Sequence, residues 1–307
     1  MSGGAILVTG IGGLIGGAVA HRLKDEGRDV VGADHDVPPH APYPVITHDL
    51  PDPQRWHDII VQFGVRKVVH AGSISGPMLM RDAPARLCAI NLGGLTGLLE
   101  AARIHRLERV VWFSSILAYG ERSDLSPVGE AAPLDPTTVY GATKAAGEAL
   151  IRAFHAEHGV DAVALRVASC YGPGRTTSCL IRTLIEDGLA GRATRVRESQ
   201  GRSRQHVFVG DVVDAACAAL EAEHLRQRVY NIGPGAMQSL RDIEEQVREA
   251  VPGVTVELHP DGLAWNTFGV GALAIDAARR DLGFEPRTSI AEGARQTRPW
   301  VEERRKA

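Results

Sequence analysis

Tyr140-Gly-Ala-Thr-Lys144 sets a phenol and an ammonium four positions apart. On a helix that spacing stacks both side chains on one face, so they can enter the same cleft. A phenol with an ordinary pKa of about 10 is a poor base at neutral pH. A neighbouring Lys144 cation favours the phenolate and moves Tyr140 toward the range where it can exchange a proton with a hydroxyl. Ser115 closes the segment Phe113-Ser114-Ser115 after an apolar run. Its hydroxyl can donate a second hydrogen bond to the same oxygen. The chemistry these three residues suit is proton exchange at an alcohol or ketone oxygen. An isolated Tyr-x-x-x-Lys also arises by chance on helix surfaces, so the elements ahead of it must decide.

Those elements begin at the first residues. Ala5 to Val8 is a short apolar run of buried-strand character, followed by Thr9-Gly10 and an amphipathic stretch from Leu14. Gly10, Gly13 and Gly16 give the spacing Thr-Gly-x-x-Gly-x-x-Gly. The tighter Gly-x-Gly-x-x-Gly would need glycine at 15, where Ile15 stands. A strand, a glycine turn and a helix N-terminus form a site for a pyrophosphate, with the backbone amides of Gly12, Leu14 and Ile15 close by. Asp34 ends the second strand, 18 positions after Gly16. A carboxylate there accepts hydrogen bonds from ribose hydroxyls and repels a 2′-phosphate. His35 and Asp36 follow, with no Lys or Arg to pair such a phosphate, which favours NAD over NADP. Asp49-Leu50 after the third strand can flank the adenine. Glycine turn, acidic strand end and Ser-Ser strand end precede Tyr140 in the right order, which favours catalysis over a chance pair.

Apolar runs alternate with helical patterns. Strands are expected at 29–33, 45–46, 66–71, 109–114 and 160–167, and helices at 14–26, 85–105 and 137–158. This alternation predicts an α/β fold: a Rossmann-type, doubly wound parallel sheet whose ligands bind outside the carboxyl ends of the strands. Beyond Val167 the alternation weakens. Residues 1–170 are read as the NAD-binding domain, with segments near 206–233 returning to it. Residues 171–307 are read mainly as a smaller C-terminal substrate lobe, ending in a solvated helix end at 302–306. Composition bounds the rest. The chain has 307 residues, 44% hydrophobic and 23% charged, with a formal charge of -3. That is ordinary for a globular enzyme and lacks the basic footprint of a nucleic-acid binder. No run approaches the roughly 18 consecutive apolar residues of a membrane span, and no leader is expected before the first strand. The four cysteines show no Cys-x-x-Cys pairing and fit reduced thiols in a cytoplasmic protein. The histidines lack ligand spacing, so no metal is expected; His35, His40, His48 and His57 read as surface residues.

With these motifs in hand, the chain resembles an extended short-chain dehydrogenase/reductase of the NAD-dependent sugar epimerase/dehydratase family. The resemblance runs through the Thr9–Gly16 loop, Asp34, Asp49-Leu50, His70-Ala71-Gly72, Asn91, Phe113-Ser114-Ser115, Tyr119-Gly120 and Tyr140/Lys144. It continues through Leu165-Arg166, Tyr171 to Gly174, Arg204 to Asp211, Tyr230 to Gly233 and Leu282-Gly-Phe284. It implies that Tyr140 is the acid/base, that Lys144 holds the nicotinamide ribose and that Ser115 polarises the substrate oxygen. It adds Ala71, Gly72, Ser73, Asn91 and Ser114 to the cofactor contacts. It also implies a homodimer through helices near 90–105 and 138–157.

Departures from the family pattern narrow the reaction. Sugar dehydratases of the family carry Asp-Glu directly after the hydroxyl residue; here Ile116-Leu117 stand there and cannot supply a second acid and base. Epimerases acting on UDP-sugars carry Asn where this chain has Ser169, and an Arg within a segment that reads here 261–268 without one. Between 166 and 204, however, eight arginines face three acids. Most of these read as a solvated face. Arg175 and Arg204 match family positions near the substrate, and arginine forks suit carboxylate or phosphate. With Ser75 and Ser169 they predict an anionic, carbohydrate-like substrate. The leading expectation is an NAD-dependent epimerase or oxidoreductase acting at a secondary alcohol of a sugar or nucleotide sugar. The alternatives are net oxidation of a small sugar acid or polyol, and an NAD-sensing protein without chemistry.

Overall fold

The structure is a computed structural model that describes residues 4–36, 40–197, 204–264 and 269–306. Seven parallel strands form its main sheet: β1 (Ala5–Thr9), β2 (Val30–Asp34), β3 (Val45–Thr47), β4 (Val65–His70), β5 (Arg109–Ser115), β6 (Ala162–Val167) and, much later in the chain, β10 (Val229–Ile232). Their spatial order is β10-β6-β5-β4-β1-β2-β3. The chain therefore runs outward from β1 to β3, crosses back to lay β4 beside β1, and continues the other way. The crevice at such a reversal is where α/β sheets bind ligands. Thr9 and His70 stand opposite each other at its mouth.

Both faces of the sheet are covered, which explains its continuous apolar strands. Alternate residues of β1 serve two cores: Ile6 and Val8 point to one, Ala5 and Leu7 to the other. The first core meets α1 (Leu14–Asp25) and, later in the chain, α7 (Val209–Glu221), which pack against each other. The second meets α2 (Pro53–Phe63), α4 (Gly94–His105) and α5 (Val139–His158). The expected helix at 85–105 is present as one continuous helical run, Pro84–His105, with a π-helical turn inside it. A short α3 (Pro84–Cys88) passes through a π-helical turn at Ala89–Gly93 into α4. By length and composition alone, Pro84–His105 is long and apolar enough to cross a membrane. Here Leu95, Leu98, Leu99 and Ala102 on it are buried in the second core.

The remaining elements build the lobe. β7 (Ser169–Tyr171) pairs in parallel with β9 (His206–Phe208), and β8 (Thr194–Val196) with β11 (Val256–Leu258). α6 (Leu180–Leu189), α8 (Leu240–Ala250) and α10 (Ile290–Lys306) pack together, and α9 (Asp276–Leu282) lies against α7 and β10. Of the two segments expected to return to the main sheet, 229–232 does so as an edge strand. The segment at 207–209 does not: Val207 and Phe208 belong to β9, which pairs with β7, and Val209 already opens α7.

Candidate active site and dinucleotide cleft

The glycine loop is built for close approach. Gly10 has φ +71°, and a Cβ there would meet Gly72 N at 2.6 Å. A Cβ on Gly16 would meet Gly10 O at 2.2 Å. Only glycine fits either position, and the turn can therefore bring α1 onto the end of β1. Gly13 is the N-cap of α1 and has no side chain to cap it; no acid occupies the first turn. The leading amides of α1 thus stay available to an anion. Thr9 Oγ1 accepts from Gly72 N at 3.0 Å and lies 2.7 Å from His70 Nδ1, which pins the end of β1 to that of β4. Asp34 accepts from Gly12 N at 2.8 Å and from His35 N at 2.7 Å. Its carboxylate is held at the rim of the loop with lone pairs to spare for ribose hydroxyls.

A cleft of about 1090 Å³ runs from this loop to the lobe. Gly10, Gly12, Gly13, Leu14, Ile15, Gly16, Asp34, Asp49 and Leu50 line one end, and Ala71, Gly72, Ser73 and Ser75 its middle. Ser114, Ser115, Tyr140, Lys144, Ser169, Arg175 and Arg204 line the rest. The glycine cradle, the uncapped helix start and the rim carboxylate together fit a dinucleotide such as NAD. Of the sequence-predicted residues Asn91 alone stands behind the lining. Its amide oxygen accepts from Ile74 N at 2.8 Å, and its nitrogen donates to Ile74 O and to Thr143 Oγ1, each at 3.2 Å. Asn91 fixes the loop after β4 and has little left to offer a cofactor.

α5 starts at Thr138, whose hydroxyl accepts from Gly141 N at 3.0 Å. Tyr140 and Lys144 fall on its first turns and are 8% and 2% exposed. Lys144 Nζ donates to Phe113 O at 2.9 Å and to Ser73 Oγ at 3.3 Å, and sits 5.5 Å from the centre of the Tyr140 ring. Burial lowers the lysine to about 7. At 5.5 Å from the ring centre the Lys144 cation favours the phenolate, and it acts on Tyr140 alongside other groups. Burial raises the tyrosine, and Ser115, the charge of Arg175, and Ser75 also pull it back. The lysine is turned toward strand β5 and the loop after β4. Ser115 stands beside the phenol and favours its ionised form, while its Oγ accepts from Leu117 N at 3.2 Å, capping the 3-10 turn at Ile116–Tyr119.

Ser114 is committed elsewhere: its hydroxyl donates to Glu148 Oε1 at 2.6 Å. Glu148 is paired through both oxygens with Arg166, and both are fully buried. The Arg166 guanidinium lies 4.3 Å over the Tyr119 ring, and Tyr119 Oη is 2.9 Å from Asn231 Oδ1. This chain of contacts ties β5, α5, β6 and β10 together behind the cleft.

At the lobe end, Arg175 donates to the carbonyls of Cys170 and Ser178, with its Nε buried and unpartnered. Arg204 is held by paired backbone hydrogen bonds with Gln238 at 3.0 and 2.7 Å. Burial lowers its guanidinium to about 10, and the charge of Arg175 adds to the effect. Among the described residues neither forms an ion pair with a carboxylate. Their neighbours in sequence do: Arg182 pairs with Glu186, Arg192 with Asp187 and Arg195 with Glu257. Arg202 and residues 265–268 lie outside the described residues. Sequence reasoning missed Arg81, Arg86, His48 and His206, all of which line the cleft. Arg81 and His48 sit in loops and His206 at the start of β9, without periodicity to mark them, and Arg86 lies on the short α3. His48 in particular is buried, not a surface residue. Among the described residues no group of three or more His, Cys, Asp or Glu could hold a metal ion.

Parallel sheet, glycine loop, rim carboxylate and a Tyr-x-x-x-Lys helix facing a serine define an extended short-chain dehydrogenase/reductase. Residues 6–233 match the model of the NAD dependent epimerase/dehydratase family, and the chain belongs to that family. It is an NAD-dependent enzyme. A UDP-glucose 4-epimerase from Mycolicibacterium smegmatis is 28% identical over 305 residues, covering 95% of this chain and 96% of the relative. A Thermotoga maritima UDP-glucose 4-epimerase solved with UDP-glucose superposes with a TM-score of 0.87 at 26% identity, covering 98% and 99% of the two chains. MoeE5, solved with UDP-glucuronic acid and NAD, superposes with a TM-score of 0.86 at 27% identity, covering 99% and 100%.

Proposed function

We propose that this enzyme inverts a secondary alcohol, at C4 of the sugar, on an anionic nucleotide sugar, using Ser115, Tyr140 and Lys144 and keeping its NAD. The observation that carries this reading is one cleft that joins the glycine loop to Tyr140 and then to two arginines that, among the described residues, have no carboxylate partner. NAD bound along the glycine loop would supply the hydride acceptor and donor for the alcohol carbon. Tyr140 exchanges the proton of the sugar oxygen. Ser115 donates to the same oxygen and holds it in place. Burial keeps the phenol neutral, which suits proton delivery to a ketone. The opposite half-reaction needs the phenolate, which the charge of Arg175 favours. Lys144, anchored on Phe113 O, is positioned for ribose hydroxyls.

Arg175 and Arg204 supply the charge for a diphosphate or carboxylate. Related proteins solved with UDP-glucose and with UDP-glucuronic acid support a nucleotide sugar over a small sugar acid. Ile116 and Leu117 cannot add a second acid and base, so dehydration is disfavoured. The reading includes a homodimer through the outer faces of α4 and α5, and four free thiols are in keeping with a cytoplasmic setting. Incubation with UDP-glucose, UDP-glucuronate, a free aldonate and a polyol side by side tests the class. Conversion of a nucleotide sugar to its epimer without net cofactor reduction supports it. Steady NADH production from the aldonate or polyol sinks it.

A further inference from the structure

We propose that His48 is a recognition residue for the adenine of NAD. His48 follows β3, and its amide donates to Asp34 O at 2.9 Å, so it stands beside the carboxylate that faces the ribose. It is 2% exposed, lines the cleft with Asp49 and Leu50, and neither ring nitrogen has a hydrogen-bond partner. Buried polar atoms rarely stay unpaired, because each unmet donor or acceptor carries its full desolvation cost. The ring is also fixed in place. It meets Trp56 edge-on at 4.3 Å, and Trp56 is pressed from behind by α4, where a Cβ on Gly97 would come within 3.1 Å of it. His70, on the other side of Trp56, already has Thr9 as partner. The Trp56 Nε1, also unpartnered, faces Gly97 of α4, which leaves the two His48 nitrogens as the unmatched groups of this cluster next to the cleft.

Burial lowers His48 to about 4, so the ring is neutral at pH 7 and offers one donor and one acceptor. Adenine presents the complement: ring nitrogens that accept, beside an exocyclic amine that donates. Asp49, an acceptor only, can serve the amine alone.

Displacement of bound NADH, followed by its fluorescence on the full chain, gives affinities for NAD and for nicotinamide hypoxanthine dinucleotide, which has a carbonyl in place of the amine. His48→Phe keeps the packing on Trp56 and removes both nitrogens. It should weaken NAD about tenfold and bring the two dinucleotides closer in affinity. His48→Gln, with a donor and an acceptor, should recover most of the loss. In 15N-histidine spectra of the unmutated protein, the imidazole signals absent from His48→Gln should move when NAD saturates the site. Unchanged affinities for both dinucleotides in His48→Phe overturn the proposal. So do His48 signals that stay still on saturation, a readout that holds even where the Phe variant fails to fold.

Discussion

Ser114 Oγ donates to Glu148 Oε1 at 2.6 Å, and this contact joins the two elements that carry the proposed catalytic groups. Ser114 precedes Ser115 at the end of β5. Glu148 lies one helical turn beyond Lys144 on α5, on the same face. The Arg166 guanidinium closes the arrangement from β6. Breaking a buried pair by removing one charge costs about 3–5 kcal/mol, because the other charge is left uncompensated. Glu148→Gln should therefore lower the unfolding free energy by about that amount, read from urea midpoints. It should also lower kcat at temperatures where the variant is folded. A variant as stable as the parent would show that Arg166 finds another partner.

Tyr140→Phe should leave folding and NAD affinity intact and reduce turnover by roughly two orders of magnitude or more, the scale of losing a positioned acid/base. Steady-state rates and NADH displacement, measured on one preparation, check both halves. Near-normal turnover would place the proton transfer elsewhere.

Asp34→Ala should narrow the preference for NAD over NADP, since the parent carboxylate would face a 2′-phosphate with no cation beside it. The same change removes the acceptor of Gly12 N. NAD affinity itself should thus fall as well, while NADP changes little or improves. Equal affinities for both cofactors in the parent would refute the assignment.

The parts of this design that were legible in sequence follow local rules. Gly10, Gly13 and Gly16 announce a turn that only glycine can make, and Tyr140 and Lys144 share a face by helical spacing alone. α2 was not among the expected helices, although Asp52 as its N-cap, Pro53 at its first position and Gly64 left-handed at its end mark both its limits. What sequence could not give was direction. Whether Lys144 turns toward Tyr140 or toward Phe113 O depends on where β5 passes α5. The role of Asn91 depends on the loop after β4 folding over it. His48 looked like one more loop histidine until Trp56 and α4 enclosed it. The pairing of β9 with β7 is set by the lobe's packing, since three-residue strands carry too little pattern to choose a partner.

Acid should destabilise the protein ahead of general unfolding. Burial lowers His48 to about 4, and His70 and His206 to about 3. Each folded value lies below the unfolded 6.5, so the unfolded chain binds more protons as pH falls through that window. Stability is fully present above pH 6.5 and is lost progressively toward pH 4. At pH 5 each histidine accounts for on the order of 2 kcal/mol. Lys144, at about 7 folded against 10.5, acts higher up: stability gains from it as pH rises from 7 to 10.5. Melting temperatures across pH 4 to 9 should rise with pH through both windows. A flat profile between pH 4.5 and 6.5 would contradict the buried, neutral state of these rings.

The central claim is inversion at one carbon by removal and return of the same hydrogen inside a closed site. Its most direct test is a UDP-sugar carrying deuterium at C4, incubated with the purified enzyme in ordinary water and read by NMR and mass spectrometry. The account predicts an epimer that keeps its deuterium at C4, formed over many turnovers without added NAD. Loss of the label to water, or inversion matched by stoichiometric NADH release, would contradict it.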